Sequence, residues 1–225
     1  MLTEYHCHIL PGIDDGAADA DTALAMVGMM QAQGVERIVA TPHFYAHREQ
    51  SVAAFLERRQ EAFAKIEGRT AISDIRLGAE VAIEHGLSEL EGIERLAIAG
   101  TDLILLELPY RGFKEWMLEE AYNVGAEHKL RIIFAHVHRY LEYYNKEEIA
   151  RLFSMRAMFQ INNEAFETHA QRSFVRSLLR DELPLVYGSD AHDLGERRPN
   201  WNLLLKKGNP ESIEASDRVL DRHTK

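Results

Sequence analysis

Leu2-Thr3-Glu4-Tyr5-His6-Cys7-His8 opens the chain, and Asp14-Asp15-Gly16 follows after the short connection Ile9-Leu10-Pro11-Gly12-Ile13. The apolar start reads as a short β-strand, on which alternate side chains share a face. His6 and His8 then point one way and Cys7 the other. Two imidazoles on one face are a ready pair of metal ligands, and the aspartates beyond them can add oxygen donors. If this strand delivers ligands at its C-terminal end, the remaining strands should deliver the others.

Outward from this strand, short apolar runs recur, each followed by a polar or helix-like segment. Strands are expected over Leu2–His8, Val35–Thr41, Ile75–Glu80, Asp102–Leu108, Leu130–His136, Ala157–Ile161 and Leu185–Ser189. Leu24, Val27 and Met30 share one face of a helix over Thr22–Gln33, with Gly34 as its stop. Ser51–Glu67, Lys114–His128, Lys146–Met155 and His169–Glu182 read as further helices, and Gly78 and Gly188 mark other boundaries. Alternation of this kind implies an α/β fold with a parallel sheet, either a small closed barrel or an open doubly wound sheet. No Gly-x-Gly-x-x-Gly run follows a strand, which weakens the dinucleotide-binding version. No linker, repeat or low-complexity stretch divides the chain, so a single domain over residues 1–225 is expected. The polar stretch Lys206–Lys225 reads as a poorly packed end.

Composition narrows the partners. The formal net charge is −10 and no long basic run occurs, which argues against nucleic acid. An acidic chain repels phosphate at long range, so phosphate chemistry needs a locally positive site, which divalent cations would supply. Cys7 is the single cysteine, so no disulfide can form within the chain and a reducing compartment is expected. Glu4 and His6 interrupt the apolar start, which excludes a signal peptide there. No apolar run approaches the roughly 20 residues of a membrane span. The expectation is a soluble, cytoplasmic protein with no membrane insertion.

Ligand-type residues fall at the ends of the expected strands. His6 and His8 end the first, His43 follows the second in Ala40-Thr41-Pro42-His43, and Glu80 ends the third in Gly78-Ala79-Glu80. Glu107 ends the fourth, His136 the fifth, and Asp190 and His192 the last, in Ser189-Asp190-Ala191-His192. In parallel α/β barrels the functional groups collect at this rim. Glu107 sits in the apolar run Leu103-Ile104-Leu105-Leu106, where a buried carboxylate calls for a cation. With Asp15 these make nine candidate ligands, too many for one ion; roughly two or three ions are implied. Imidazoles and carboxylates fit Mn, Fe, Zn or mixtures and do not choose among them. Asp14 is assigned to capping or orienting the loop. Arg139 and Arg197 are candidates to fork onto phosphate oxygens, with Arg198 as neighbour to Arg197. His138 shares the strand-face parity of His136 and is a candidate supporting residue behind the ligands, proton donor or substrate contact. His47, His85 and His169 read as surface residues.

These motifs resemble the PHP (polymerase and histidinol phosphatase) superfamily, and within it the bacterial tyrosine phosphatases of capsule and exopolysaccharide gene clusters. The resemblance rests on His6-x-His8-Ile9-Leu10-Pro11-Gly12-Ile13-Asp14-Asp15-Gly16, Ala40-Thr41-Pro42-His43, Gly78-Ala79-Glu80, Glu107-Leu108-Pro109, Ala135-His136-x-x-Arg139-Tyr140 and Ser189-Asp190-Ala191-His192. It runs to about Asn200, and Phe44–Gln50 departs from it. It implies a distorted seven-stranded (β/α)7 TIM-like barrel, the PHP fold, with a three-metal site that is typically manganese-activated; Mg is a further alternative. It implies one ion on His6, His8, Glu80 and Asp190, a second on Asp15, His43 and the shared Glu80, and a third on Glu107, His136 and His192. The phosphate-binding arginines fall on Arg139 and Arg197, and the position of His138 is often glutamate in related sequences.

The expected reaction is hydrolysis of phosphotyrosine by a metal-bridging hydroxide. The partner implied by the resemblance is a bacterial tyrosine kinase with a tyrosine-rich tail. Four carboxylates, three divalent ions and one hydroxide leave the site at about +1, a suitable host for a phosphate dianion. A cysteine-nucleophile mechanism fails, because Ile13 stands where an arginine should follow Cys7. Two rivals remain: a small-molecule phosphomonoesterase acting on a compound such as histidinol phosphate, and a non-catalytic metal-binding regulatory domain.

Overall fold

The structure, a computed structural model, describes residues 1–224; Lys225, the last residue of the polar end, lies outside them. The chain begins with strand β1 (Leu2–Cys7), helix α1 (Ala20–Ala32) and strand β2 (Val35–Ala40). Asp19 caps α1 by accepting from Thr22 N at 2.8 Å. The expected strand Val35–Thr41 stops at Thr41-Pro42, where proline has no N–H to give the ladder, and resumes as β3 (His43–Phe44). Helix α2 (Val52–Ala64) follows, capped by Ser51. The expected strand Ile75–Glu80 is likewise cut at Gly78-Ala79 into β4 (Asp74–Leu77) and β5 (Glu80–Ala82). The two interruptions lie side by side. Gly78 N donates to Ala40 O at 2.8 Å and Glu80 N to Pro42 O at 3.0 Å. Buried Arg59 of α2 donates to the freed Gly78 carbonyl at 2.6 Å.

The second half is regular: β6 (Leu103–Glu107), α3 (Glu115–His128), β7 (Arg131–Phe134), α4 (Lys146–Phe153), β8 (Met158–Asn162), α5 (His169–Arg180) and β9 (Leu185–Gly188). Asn145 and Glu148 form a reciprocal capping box on α4. Three short helices end the chain: α6 (Trp201–Lys207), α7 (Pro210–Asp217) and α8 (Val219–Arg222). Because of the two interruptions, nine strands stand among the described residues where seven were expected. They form a three-stranded sheet in the order β1-β2-β4 and a six-stranded sheet in the order β3-β5-β6-β7-β8-β9. Every pairing between them is parallel. On β6, Ile104 and Leu106 enter one buried cluster while Leu103 and Leu105 enter another. Burial on both faces explains why these strands read as unbroken apolar runs.

The free edges of the two sheets meet where β1 passes β9. Asp190 N donates to His6 O at 2.7 Å and His8 N to Ala191 O at 2.9 Å. Between them lies the buried carboxylate of Glu4. It accepts from His6 N at 3.0 Å, from Ser189 N at 2.8 Å and from Trp201 Nε1 at 2.7 Å. Burial pushes the Glu4 carboxyl up in pKa, and these donors work against that push. Gly188 makes the passage possible: a Cβ there would lie 2.7 Å from Glu4 Oε1 and 2.8 Å from His6 N.

The end of the chain, expected to be poorly packed, is seated through the described residues. Ile213, Ser216 and Leu220 are buried. Tyr5 Oη donates to Ser216 O at 2.8 Å and accepts from Leu220 N at 3.1 Å. Ile213 and Ser216 lie on α7 and Leu220 on α8, buried positions too sparse to stand out in a polar segment. Asp217 Oδ1 accepts from Thr3 N at 2.7 Å. Partial burial raises its carboxyl to a pKa of about 6. An acid raised in the folded state adds stability below its unfolded pKa and loses it as pH climbs through the folded value. Asp217→Asn keeps an oxygen for Thr3 N and removes the charge. It should stabilise the chain by about 1 kcal/mol at pH 7.5, after discounting for solvent exposure, and by nothing near pH 4. Denaturant melts of both proteins at the two pH values check this.

Candidate metal centre

The interruptions in the strands place the expected ligands. His43 opens β3 and Glu80 opens β5, directly paired in the ladder. Glu107 closes β6, and His136 and Asp190 stand just beyond β7 and β9. His136 (φ 29°) and Asp190 (φ 52°) are both in the left-handed region that non-glycine residues avoid. That backbone turn holds each one at the rim. His136 N donates to Gln160 Oε1 at 2.6 Å, and the Asp190 amide bonds to β1 as described above.

Glu80, 1% exposed, is the centre of the cluster. Its Oε2 lies 3.1 Å from His6 Nε2, 3.2 Å from His8 Nε2 and 3.0 Å from His43 Nδ1. Its Oε1 lies 2.8 Å from His136 Nε2. Asp190 Oδ1 approaches the same nitrogens of His6 and His8 at 3.5 and 3.4 Å. The far ring nitrogens are already engaged: His6 Nδ1 with Gln160 Oε1 at 3.1 Å, and His8 Nδ1 with Asp14 Oδ2 at 2.7 Å. With the far nitrogens so engaged, both rings turn Nε2 toward the cluster, where these two atoms, 3.2 Å apart, face each other and two carboxylate oxygens. Such convergence of acceptors fits a cation.

A second group joins Asp15, His43 and His192, with His8 adjoining. Asp15 Oδ1 is 3.4 Å from His43 Nε2 and 3.5 Å from His192 Nε2. His192 Nδ1 donates to Asp190 O at 2.9 Å, which leaves Nε2 as the acceptor. A third group joins Glu80, Glu107 and His43, with His136 Nε2 3.5 Å from Glu107 Oε1. This grouping departs from the one the resemblance implies: His8 adjoins the Asp15 group in place of Glu80, His43 also joins Glu80 and Glu107, and His192 changes groups. His192 stands with Asp15 and His43 instead of with Glu107 and His136; its ring lies against that of His8, 3.7 Å between centroids with the planes tilted by 31°. Buried His43 Nδ1, Glu80 Oε2 and His192 Nε2 have no hydrogen-bond partner of good geometry, as expected for atoms meant for an ion.

The electrostatics agree. Burial would raise the Glu80 and Asp190 pKa values, but the imidazoles, His6 foremost, hold both carboxyls well below the usual range. Burial also opposes charge on His8 and His136, yet Asp14, Asp190 and Glu80 raise the first, and Glu107 and Glu80 lift the second to about 9. His192 is pushed down to about 4 by burial and by the neighbouring charge of His8. The cluster therefore holds protons on imidazoles where divalent ions would replace them.

Beside the cluster lies a cavity of about 740 Å³. Arg139 and Arg197 line it, and both reach Asp190 Oδ2, at 2.7 and 3.0 Å. Arg197 is the one of the two neighbouring arginines that lines the cavity; Arg198 does not. Glu164 takes Nε and Nη2 of Arg139 at 2.9 and 2.6 Å, which leaves one hydrogen on each terminal nitrogen for an incoming oxyanion. His138 is not placed to touch a substrate. Its side chain is fully buried, away from the cavity lining, with Nε2 3.4 Å from Glu164 Oε1. Burial outweighs Glu164 and lowers its pKa, so the ring stands neutral behind the Glu164–Arg139 pair. His47, His85 and His169 are exposed.

Four further residues complete the site, and three of them, Gln160, Asn162 and Glu164, carry no obvious signal in the sequence. Asp14 takes His8 Nδ1, His43 N and Gly16 N together, which gives its expected orienting role an exact set of partners. Strand β8, which ends in no expected ligand, supplies Gln160 and Asn162. Gln160 Nε2 donates to Asn162 Oδ1 at 2.9 Å, and Asn162 Nδ2 donates to Asp190 Oδ2 at 3.1 Å. Glu164 follows on the same segment. An alternation of polar residues on an otherwise apolar strand, Gln160 and Asn162, was the available sign.

Residues 2–208 match the family model described as Capsular polysaccharide synthesis, CpsB/CapC. The chain is 27% identical to the tyrosine-protein phosphatase YwqE of Bacillus subtilis, over 87% of this chain and 79% of that one. It is 26% identical to the tyrosine-protein phosphatase CpsB of Streptococcus pneumoniae, over 92% and 90%. A crystal structure from work on YwqE and CpsB, described as unique metal-dependent tyrosine phosphatases, superposes with a TM-score of 0.80 at 22% identity, covering 99% of this chain and 96% of that one.

An acceptor cluster of this kind should make the fold respond to cations. Adding Mn2+ at about 100 times its Kd contributes about 2.7 kcal/mol, which for a chain of this size is roughly 5–10 °C in Tm. Thermal melts with Mn2+ and with EDTA measure it; coincident melts would contradict the cluster's assignment.

Proposed function

The chain belongs to the CpsB/CapC family of capsular polysaccharide synthesis proteins, and on that premise we propose that it is a metal-dependent protein-tyrosine phosphatase. Its substrate in this reading is a phosphotyrosine-containing protein of capsule or exopolysaccharide synthesis, the tail of a bacterial tyrosine kinase, met in the cytoplasm. No helix among the described residues is long and apolar enough to cross a membrane. We read residues 1–225 as one phosphatase domain. We read the two sheets as a single distorted (β/α)7 barrel, in which β2 continues into β3 and β4 into β5, closed by the contacts of β1 with β9.

The nine expected ligands form three positions in this reading: His6, His8, Glu80 and Asp190; Asp15, His43 and His192; and Glu80, Glu107 and His136. Divalent ions there, Mn2+ by our assignment, supply positive charge and acidify water to a nucleophile near neutral pH. The chain's own residues do the rest. Gln160 and Asp14 fix the tautomers of His6 and His8. Arg139 and Arg197 hold the non-bridging phosphate oxygens, with Glu164 fixing the plane of Arg139. The leaving phenolate has an ordinary pKa of about 10, so its departure needs no dedicated acid. His138 acts through Glu164 and takes no part in proton transfer.

The observation that carries the proposal is the convergence of Arg139 and Arg197 on one oxygen of Asp190, beside a cluster shaped for cations. Turnover of a phosphotyrosine peptide by the Mn2+-loaded protein tests it. A strong preference for histidinol phosphate would move the assignment to small-molecule phosphomonoesters. Inertness toward p-nitrophenyl phosphate as well would favour a non-catalytic domain.

Two substitutions separate the roles. Arg139→Lys keeps a charge and loses the fork, and should lower kcat/KM by about 10²-fold with bound metal unchanged. Cys7→Ser should leave kcat within about twofold, because Cys7 is buried with its thiol against Val39 O at 3.5 Å and burial raises its pKa.

A further inference from the structure

Large aromatic side chains in this protein are mostly buried, and the exceptions are not spread evenly. Tyr110 (38% exposed) and Tyr143 (45%) are among the few exposed large hydrophobics, and both line the cavity beside the cluster. Tyr110 lies over His136, with ring centroids 5.6 Å apart and planes at 23°, and Tyr143 stands 5.3 Å from it. The wall is firmly based. Tyr110 rests against buried Tyr140 at 5.8 Å, and Tyr140 stacks on Tyr144 at 5.3 Å. Leu108 N donates to Tyr140 Oη at 2.8 Å, which ties this stack to the end of β6. On the other side, Tyr45 stands 5.4 Å from His43 and lines the same cavity. His136 and His43 engage different oxygens of Glu80, so the aromatic groups flank the cluster.

We propose that Tyr110 and Tyr143, with Tyr45 beside His43, form an aromatic slot that selects aryl over alkyl phosphate monoesters. This rests on the phosphatase reading above and names what gives it specificity. A phosphate held by Arg139 and Arg197 leaves its ester group in the cavity. Aromatic pairs gain when ring centroids lie about 4.5–7 Å apart, the range at which these rings already meet their neighbours. A phosphotyrosine ring can fill that position, whereas the short alkyl arm of phosphoserine leaves the tyrosine faces in water.

The test is calorimetric binding of phenylphosphonate and ethylphosphonate to the full-length Mn2+-loaded protein, which requires no turnover. Wild type should favour the phenyl compound. Tyr110→Leu should reduce the ratio of the two affinities by roughly tenfold and Tyr143→Leu by about threefold, while Tyr110→Phe keeps it. An unchanged ratio in both leucine variants, with the two ligands weakening together or not at all, overturns the slot. Tyr143 is partly in solvent, so its variant carries the test if Tyr110→Leu fails to fold. The two readings separate cleanly. Turnover of phosphotyrosine peptide with an unchanged ratio removes the slot and leaves the phosphatase; absence of that turnover removes both.

Discussion

Four imidazoles close on the carboxylate of Glu80, and the rest of the structure is arranged around that contact. A carboxylate removed from water is costly unless opposite charge or hydrogen bonds surround it. Here the surroundings come from His6, His8, His43 and His136, on three separate strands or strand ends. Such convergence requires that several strands run the same way and finish at the same level. A parallel sheet does this, and the helices between its strands are what return the chain to the starting side.

The strand ends alone do not set the distances. The paired interruptions at Thr41-Pro42 and Gly78-Ala79 put His43 and Glu80 opposite each other. The positive φ angles at His136 and Asp190 turn those side chains at the rim. Around them, Gln160 and Asp14 fix the tautomers of His6 and His8, and Glu164 together with Asp190 fixes the guanidinium of Arg139. The ligands are thus held by a surrounding set of hydrogen bonds that is itself buried, and such support is what keeps a metal site in register.

How much of this is legible beforehand depends on how a residue signals its role. His and acidic residues directly after apolar runs announce themselves, and all nine expected ligands lie within the three groups or in contact with them. The helices were readable within a few residues because Ser51, Asn145 and Thr168 cap where the apolar period begins. Gln160 and Asn162 were not readable, since an amide inside a strand carries no charge and no metal preference. For His138 the sequence left three roles open, and the supporting one is what the fold shows; parity along the chain could not choose, because it does not persist once the segment after His136 turns into a helical loop. The partner of His192 was hidden for a related reason: the approach of its ring to that of His8 is a tertiary contact with no local trace. The two strand interruptions did have a sign in Pro42 and Gly78, but a proline or glycine at a strand end ordinarily means a stop, and here the strand resumes.

The junction of β1 with β9 has a consequence for how the protein comes into being. Asp190 N meets His6 O across a separation of 184 residues. The first and last portions of the cluster are therefore contributed by opposite ends of the polypeptide. During synthesis, His6 and His8 leave the ribosome long before Asp190 and His192 exist. The nascent chain passes most of its elongation with the β1–β9 junction unmade and the ligand cluster incomplete. Loop-closure entropy must be overcome before the final contacts can form, which places this chain among slow, non-local folders. Completion of the cation cage and completion of the fold become the same late event, and any polypeptide halted before β9 carries neither.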